Sequence, residues 1–249
     1  MTLIIAMVSK EGIVMASDSA STDTDAGTKQ PTNEKISYFN QSHVLLGTAG
    51  DVGLSQKIKH KLKNLSYQSD HYRLRNQIKE VITGELKESN RTHVPYPAGA
   101  FAAPPDHVCI ACGYAKDGPF LFEYERDGRD TDYAPLNMGG FVAIGSGKFL
   151  AHALYRPHFY TEKKLNEARV IAYRILEDSI EIAAFGLARP IHLYEMTPGG
   201  KWRKMETADI KGISDSVQIW RSIEQESIGK ALSPKQSLSG ENGIPTPES

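Results

Sequence analysis

The residue with the clearest chemical potential stands second in the chain. Thr2 follows Met1 directly, and removal of an initiator methionine before a small residue would leave threonine with a free α-amine. An α-amine has a pKa of about 8, so a useful fraction of it is uncharged near pH 7. It can then act as general base for the hydroxyl of the same residue, directly or through water. Thr2 is therefore a candidate nucleophile, although Met-Thr alone is a common chain start.

Three further groups could assist a nucleophile at Thr2. Asp18 follows a strand that returns alongside residue 2, and Lys35 opens the next apolar strand. A lysine ammonium disfavours a charge on the α-amine and favours the alkoxide, while Asp18 would hold the lysine in place. Gly50 lies between a strand and a helix start, where free backbone N–H groups can form an oxyanion hole. Each group alone is more typical of a surface aspartate, a strand-edge lysine or a glycine turn.

The elements that must position these residues begin with two predicted hairpins. Apolar runs predict strands at 3–8 and 13–16 for the first hairpin, and at 35–39 and 44–49 for the second. The segment 17–33 between them is rich in Ser, Thr and Asp and is predicted to be a loop.

Helix pairs alternate with further strands in the rest of the chain. Apolar residues at helical spacing predict helices around 54–65 and 74–86, the second capped by Asp70. A proline-rich loop is expected at 89–105. The remaining expected elements are strands at 108–114, 120–124 and 141–144, helices at 148–155 and 164–184, and a last hairpin of 190–196 with 202–205.

This order predicts an α+β fold built as a four-layer αββα sandwich. Hairpins imply antiparallel sheets, and each helix pair can cover one outer face of two stacked sheets. The domain is expected to span 1–206. Residues 207–249 are expected to be a C-terminal extension, largely disordered beyond about 225, where Ser, Pro, Gly and Glu dominate without a pattern.

Composition restricts the class of protein. The 249 residues carry 29 Lys+Arg against 30 Asp+Glu, so no general field attracts nucleic acid or anionic lipid. No stretch approaches the about 18–20 apolar residues of a membrane span. Two cysteines exclude a disulfide scaffold, and the start lacks a signal-peptide pattern. We expect a soluble, cytoplasmic protein without metal or other cofactor, and without a nucleic-acid or membrane partner.

The same residues resemble the opening of proteasome β-subunits and of the related bacterial HslV peptidase. The segments 2–6 and 10–18 keep the family's interval between nucleophile and aspartate. Further matching segments follow in the family's order, at 35–36, 49–53, 118–121 and 141–147. The resemblance covers about residues 2–205, and motifs that are weak singly become fairly specific in this order.

The resemblance implies a catalytic role for five residues. Thr2 would be both nucleophile and base, tuned by Asp18 and Lys35. The Gly50 N–H would form the oxyanion hole, and Ser146 would orient the α-amine.

It also implies how a substrate would bind. Ser21 and Thr22 would lie in the strand segment that pairs with an extended peptide through backbone hydrogen bonds. Thr48 and Val52 would line a first specificity pocket, which looks small and uncharged. The family shares the αββα fold and stacks into rings around its active sites. The implied protein is thus a threonine peptidase acting on peptides or unfolded proteins, in homo-oligomeric rings, with an ATP-dependent unfoldase as a conceivable partner.

Three departures from the family pattern leave alternatives open. An Asp and a Ser usually follow the long fourth helix, but 182–188 contains neither, and Ala20 stands where Arg is frequent. The loop 89–105 and the tail exceed the usual length. The alternatives are an N-terminal-nucleophile amidohydrolase or transpeptidase with a narrow substrate, and a catalytically weak structural ring subunit. Every enzymatic interpretation depends on removal of Met1.

Overall fold

The computed structural model describes residues 2–22, 29–31, 34–66, 70–92, 107–135, 138–158, 162–182 and 186–232. Its strands are β1 (Ile4–Val8), β2 (Ile13–Ser17), β3 (Ala20–Thr22), β4 (Lys29–Pro31), β5 (Ile36–Phe39), β6 (Val44–Gly50), β7 (His107–Ala115), β8 (Gly118–Tyr124), β9 (Asp130–Asp132), β10 (Phe141–Ile144), β11 (His192–Thr197) and β12 (Lys201–Lys204). Its helices are α1 (Val52–Leu62), α2 (His71–Thr92), α3 (Lys148–Tyr155), α4 (Leu165–Ile182) and α5 (Thr207–Leu232).

Two antiparallel five-stranded sheets form the centre of the fold. Sheet one has the strand order β10-β1-β2-β11-β12, and sheet two the order β5-β6-β7-β8-β9. β3 and β4 form a separate two-stranded ribbon. The predicted hairpins are present as β1–β2, β5–β6 and β11–β12, and each is closed by an antiparallel register.

Alternation along the strands divides the apolar core into layers. In β1, Ile4 and Ala6 belong to the cluster between the two sheets, whereas Leu3, Ile5 and Met7 belong to the cluster beneath α3 and α4. A third cluster fills the space between sheet two and the helices α1 and α2. Successive strand side chains point to opposite faces, so each sheet is buried on both sides. The prediction of an α+β, four-layer αββα sandwich is confirmed.

Capping residues fix where the first two helices begin. The Asp51 carboxylate accepts a hydrogen bond from the Leu54 N–H at 2.6 Å and so caps α1. Asp70, the predicted cap of α2, accepts from the Tyr72 N–H at 2.8 Å. No helix in the described part of the chain is long and apolar enough to cross a membrane.

The last helix corrects the expectation for the end of the chain. The prediction that the chain is largely disordered beyond about residue 225 is wrong for residues 226–232, because α5 runs from Thr207 to Leu232. Ile213 and Val217 are buried against α4, and Ile210 and Trp220 pack at the edge of the same cluster. These four positions recur at helical spacing, which was the overlooked signal. Residues 233–249 lie outside the described residues.

Smaller differences concern the segments that were predicted to be loops. The segment 17–33 contains β3 and β4, whose pairing involves backbone groups and needs no apolar pattern. α2 continues to Thr92, into the predicted loop 89–105, and the rest of that loop lies outside the described residues. β9 extends sheet two at its edge and was not expected.

Candidate active site

The start of β1 is held against the turn that follows β10. The two strands pair antiparallel, so the end of β10 returns beside the start of β1. The main-chain nitrogen of Thr2 donates to Ser146 Oγ at 3.2 Å. The Thr2 carbonyl accepts from the Gly147 N–H at 3.3 Å and from Ser146 Oγ at 3.4 Å. Both main-chain polar groups of the half-buried Thr2 are therefore fixed by this turn.

Gly145 makes this close approach feasible. Its φ is +91°, in the region that favours glycine. A Cβ atom at this position would lie 2.2 Å from the Thr2 carbonyl oxygen. The glycine before Ser146 is thus required both by the backbone conformation and by contact with Thr2.

Asp18 is fully buried at the end of β2 and is saturated with donors. Its Oδ1 accepts from the Leu3 N–H at 2.8 Å and from Lys35 Nζ at 2.5 Å. Its Oδ2 accepts from the Ala20 N–H at 3.0 Å and from the Ala188 N–H at 3.4 Å. The carboxylate therefore ties the residue after Thr2 to the lysine of the opposite sheet.

Lys35 enters the site from sheet two. It precedes β5, and its carbonyl accepts from the Thr48 N–H at 3.2 Å. Its side chain is 6% exposed. Burial lowers the pKa of the Lys35 ammonium because charge is removed from water, while the paired Asp18 carboxylate opposes that shift. Lys35 shares Asp18 Oδ1 with the N–H of Leu3, the residue after Thr2. A cation held close to the Thr2 hydroxyl in this way can stabilise a developing alkoxide.

The strand–helix junction after β6 carries three predicted site residues. Thr48 is buried within β6, and Gly50 is the last residue of that strand, exposed and with a φ of +113°. Val52 is the first residue of α1 and is 47% exposed. The Thr48 bond to the Lys35 carbonyl places this junction beside Lys35.

Ser21 and Thr22 lie in β3, one and two positions beyond Ala20, whose N–H donates to Asp18. Ser21 pairs with Gln30 and Thr22 with Lys29. Their side chains lie outside the described residues.

Sequence reasoning missed the backbone segment that supports Asp18 from behind. Ser19 donates through its N–H and its hydroxyl to the Ala188 carbonyl, at 3.0 and 3.3 Å. With the Ala188 N–H on Asp18, the segment after α4 reaches the site through main-chain groups, which no side-chain motif could reveal. The segment 182–188 lacks the Asp and Ser that are usual in the family. Among its described residues, 182 and 186–188, no polar side chain replaces them. Ala20, at the position of the frequent Arg, is fully buried.

A cavity of about 640 Å³ lies on the far side of β5, between α1 and the edge of sheet one. Its lining includes the cations Lys59, Lys63 and Lys204 and the partly exposed Trp202. None of the predicted site residues lines it, so it is separate from the environment of Thr2.

One cluster in the described part of the chain has the geometry of a metal site. Asp70, His71 and Asp117 each offer a ligand atom, all within 4.8 Å of one another. The His71 ring contacts the Asp117 carboxylate directly. Both aspartates are exposed, and such acidic clusters are common without an ion, so no role is derived from it.

Comparison with known proteins adds the family context. A sequence model of the family described as "Proteasome subunit" matches residues 2–190. A similar solved structure is Anbu, described as an ancestral β-subunit, from Yersinia bercovieri, with 17% identity, coverage of 95% of this chain and 99% of that chain, and a TM-score of 0.72. The helical assembly of the Anbu complex from Pseudomonas aeruginosa gives the same four values.

An Anbu (Gly-1) mutant from Hyphomicrobium sp. strain MC1 is also similar. It has 17% identity, coverage of 92% of this chain and 97% of that chain, and a TM-score of 0.70. At such identities the likeness shows the fold alone. No curated protein matches the chain by sequence.

Proposed function

The chain belongs to the proteasome subunit family, whose members are N-terminal-nucleophile hydrolases, and we propose that it is a threonine-type peptidase with Thr2 as nucleophile. The observation that carries the proposal is the anchoring of Thr2. Ser146 accepts from its main-chain nitrogen, and the neighbouring Leu3 N–H binds the same Asp18 carboxylate as Lys35. These contacts support a site in which the Thr2 main-chain nitrogen, the Asp18 carboxylate and the Lys35 ammonium act together.

The reaction proceeds by acyl transfer. After Met1 is removed, the Thr2 α-amine accepts the hydroxyl proton, directly or through water, and Oγ attacks the peptide carbonyl carbon. The Gly50 N–H donates to the oxyanion. The α-amine then returns the proton to the leaving amine as the C–N bond breaks, which leaves an ester on Thr2. Water hydrolyses that ester and releases the acid product.

The Asp18–Lys35 pair and Ser146 keep Thr2 in its reactive form. The Lys35 ammonium disfavours protonation of the nearby α-amine and favours the alkoxide, and Asp18 holds the ammonium in place. Ser146 orients the α-amine toward the hydroxyl. In family members an Asp and a Ser assist the amine, and here the main-chain contacts of Ala188 take part of that supporting role.

The substrate is an extended peptide or unfolded protein. The backbones of Ser21 and Thr22 pair with it as an added strand, and Thr48 and Val52 line the pocket for its first side chain. The protein acts in the cytoplasm as a homo-oligomer that encloses its active sites. A ring is the arrangement that we propose, with an ATP-dependent unfoldase feeding it. The helical assembly named for the Anbu complex is the competing arrangement.

The decisive experiment combines the mass of the amino terminus with labelling. Intact-mass spectrometry should show a chain that starts at Thr2. A peptide epoxyketone, which reacts with both the amine and the hydroxyl of an N-terminal threonine, should then modify wild type and Thr2→Ser but not Thr2→Ala. Labelling of Thr2→Ala, or a retained or acetylated Met1, would contradict the proposal.

Two further measurements separate the alternatives. Cleavage across a panel of fluorogenic peptides supports the peptidase, whereas labelling without any cleavage supports an amidohydrolase with a narrow substrate. A chain with a free Thr2 that neither cleaves nor reacts is a structural subunit. Electron microscopy with light scattering distinguishes a closed ring from a helix, and a stable monomer would argue against an enclosed protease.

A further inference from the structure

Two polar residues face each other at the end of sheet one that carries Thr2. Ser17 of β2 pairs with His192 of β11 in the antiparallel register. Two residues further in, Met15 and Tyr194 belong to the cluster between the sheets. Because strand side chains alternate between faces, Ser17 and His192 point to that same inner face. They therefore lie at the end of the apolar cluster between the sheets, and Ser17 directly precedes Asp18 in the chain.

Each of the two residues has one buried side-chain atom without a hydrogen-bond partner in the described part of the chain. Ser17 is fully buried, and its Oγ has no hydrogen-bond partner there. The Nδ1 atom of the half-buried His192 is also buried and has no partner among the described residues. Buried polar atoms in native proteins are nearly all hydrogen-bonded, so two unsatisfied atoms on one cross-strand pair call for an explanation.

The charged groups around His192 belong to the candidate site or lie next to it. Asp18 and Glu34 act on the ring as anions, and Lys35 and Lys204 as cations. Burial lowers the pKa of His192, and the two lysines lower it further. The ring is therefore uncharged at neutral pH, with a lone pair available on one nitrogen.

We propose that His192, together with the Ser17 hydroxyl, is a positioning residue for the Asp18–Lys35 pair; the inference rests on the proposed role of that pair at Thr2. Neither buried atom bonds the pair directly, so the contact that we infer is an ordered water held between Ser17 Oγ and His192 Nδ1 beside the pair, which adds no positive charge. Asp18 then stays paired with Lys35, and Lys35 keeps its place beside Thr2.

Protonation of His192 would disturb this arrangement. It would place a second cation opposite Ser17, the residue before Asp18, in competition with Lys35 for the Asp18 carboxylate. It would also leave a buried N–H donor without an acceptor among the described residues. Reactivity of Thr2 should thus fall on the acid side through two proton uptakes, one at the α-amine and one at His192.

The first test follows the rate of Thr2 modification by a peptide epoxyketone against pH. For wild type we expect the rate to fall along the acid limb of the profile more steeply than the uptake of a single proton would make it fall. In His192→Leu the rate should fall at acid pH with the steepness of a single proton uptake. Its maximal rate, the plateau at higher pH, should be about tenfold lower than in wild type, since small misplacements near a reacting group have effects of this size. His192→Asn, whose amide lies near the position of Nδ1, should restore most of the plateau. The matched control is His158→Leu, at another half-buried histidine with a lowered pKa, and it should keep the wild-type limb and plateau.

An unchanged limb and plateau in His192→Leu would overturn the inference. Equal losses in His192→Leu and His192→Asn would do so too, because they would indicate a packing role.

The second test does not depend on any reaction at Thr2. In protein with ¹³C-labelled histidine rings, NMR titration should show the pKa of His192 raised by about half a unit in Lys35→Met. It should be unchanged in Lys35→Arg, and the pKa of His158 should be unchanged in both. A pKa of His192 that is the same in wild type and in Lys35→Met would overturn the coupling between the two side chains. Absence of Thr2 labelling in wild type, with this coupling present, would instead overturn the proposed function.

Discussion

The Asp18 carboxylate carries one negative charge that four donors share inside the protein. Three are main-chain N–H groups, of Leu3, Ala20 and Ala188, and the fourth is the Lys35 ammonium. Main-chain donors orient the carboxylate but cannot neutralise it. In a buried site the neutralising partner is therefore indispensable, because an unpaired charge retains its full desolvation penalty.

Lys35→Met should accordingly destabilise the protein by about 3 kcal/mol, the size of effect seen when one partner of a buried ion pair is removed. Urea unfolding followed by tryptophan fluorescence measures it. Lys59→Met is the matched control, since Lys59 is a half-buried lysine that donates to the carbonyls of Glu34 and Lys35 rather than to a carboxylate. It should lose less than about 1 kcal/mol. Similar losses in both variants would show that Asp18 does not depend on its partner.

Gly145 permits a second comparison between matched residues. Gly145→Ala and Gly118→Ala both place a side chain at positive φ, +91° and +130°, and each should lose about 1–3 kcal/mol. A Cβ at Gly118 meets no atom within 4 Å, whereas one at Gly145 collides with the Thr2 carbonyl. Epoxyketone labelling should therefore be abolished in Gly145→Ala and retained in Gly118→Ala. Normal labelling of Gly145→Ala would mean that the turn does not set the position of Thr2.

The sequence reveals part of this site and hides the rest for a physical reason. Asp18, which closely follows an apolar run, can be found because strand ends meet at sheet edges, whereas Ser146 was implied only by the resemblance to the family. The Ala188 main chain contributes through its backbone, which leaves no trace in residue type. His192 lies next to Asp18 only because β11 pairs with β2 across more than 170 residues of chain.

Among the elements, those with apolar periodicity were predictable and those held by polar contacts were not. β9 consists of Asp130, Thr131 and Asp132, with no apolar residue. Arg75 and Lys79 of α2 both bind the Asp130 carboxylate and fix this strand at the edge of sheet two. Such a strand forms because of its tertiary contacts, so the local sequence pattern cannot predict it.

α5 shows the opposite case, a helix whose apolar spacing was present but sparse. Val217 is fully buried against α4, while Ile219, two residues on, is 61% exposed. Val217→Ala should therefore lower the free energy of unfolding by about 2 kcal/mol. Ile219→Ala should change it by no more than about 0.5 kcal/mol. Denaturant unfolding of the two variants checks this, and equal effects would show that α5 does not pack as described.

α5 is also linked to the candidate site through charged side chains. Arg221 contacts Glu177 of α4 at 3.2 Å, and Glu177 binds Arg189 at 2.5 Å. Arg189 directly follows Ala188, whose N–H donates to Asp18. The helix that composition assigned to a C-terminal extension is therefore linked through Glu177 and Arg189 to the segment that contacts Asp18.

At the scale of the molecule, the site exists only when both sheets are assembled. Thr2, Asp18 and Ser146 belong to sheet one or its turns, whereas Lys35 and Thr48 belong to sheet two. The sheets approach closely nearby, since a Cβ on Gly47 would lie 2.8 Å from a methyl group of Ile4. If Thr2 has the proposed role, a change that separates the sheets should thus abolish its reactivity without altering any candidate site residue.

Stability of the whole fold should depend on pH between about 5.5 and 7.5 through half-buried histidines. Burial lowers the pKa of His158 and His192 below the ordinary value of 6.5. As pH falls through 6.5, the unfolded chain takes up protons that the folded chain does not bind. Stability is therefore complete above 6.5 and decreases as the pH falls toward the folded-state values.

Carboxylates also make the stability of the fold depend on pH, but mainly at lower pH than the histidines do. Ion pairs lower the pKa of Asp130 and Glu224, whose stabilisation is lost only as pH falls below their ordinary values of 3.8 and 4.5. Burial raises the pKa of Glu123, which opposes the histidines just above 4.5. The melting temperature should be lower at pH 5.5 than at pH 7.5, and His158→Gln should reduce that difference because the substituted residue takes up no proton. Equal melting temperatures in wild type, or an undiminished difference in His158→Gln, would show that these rings are as easily protonated in the folded protein as in the unfolded chain.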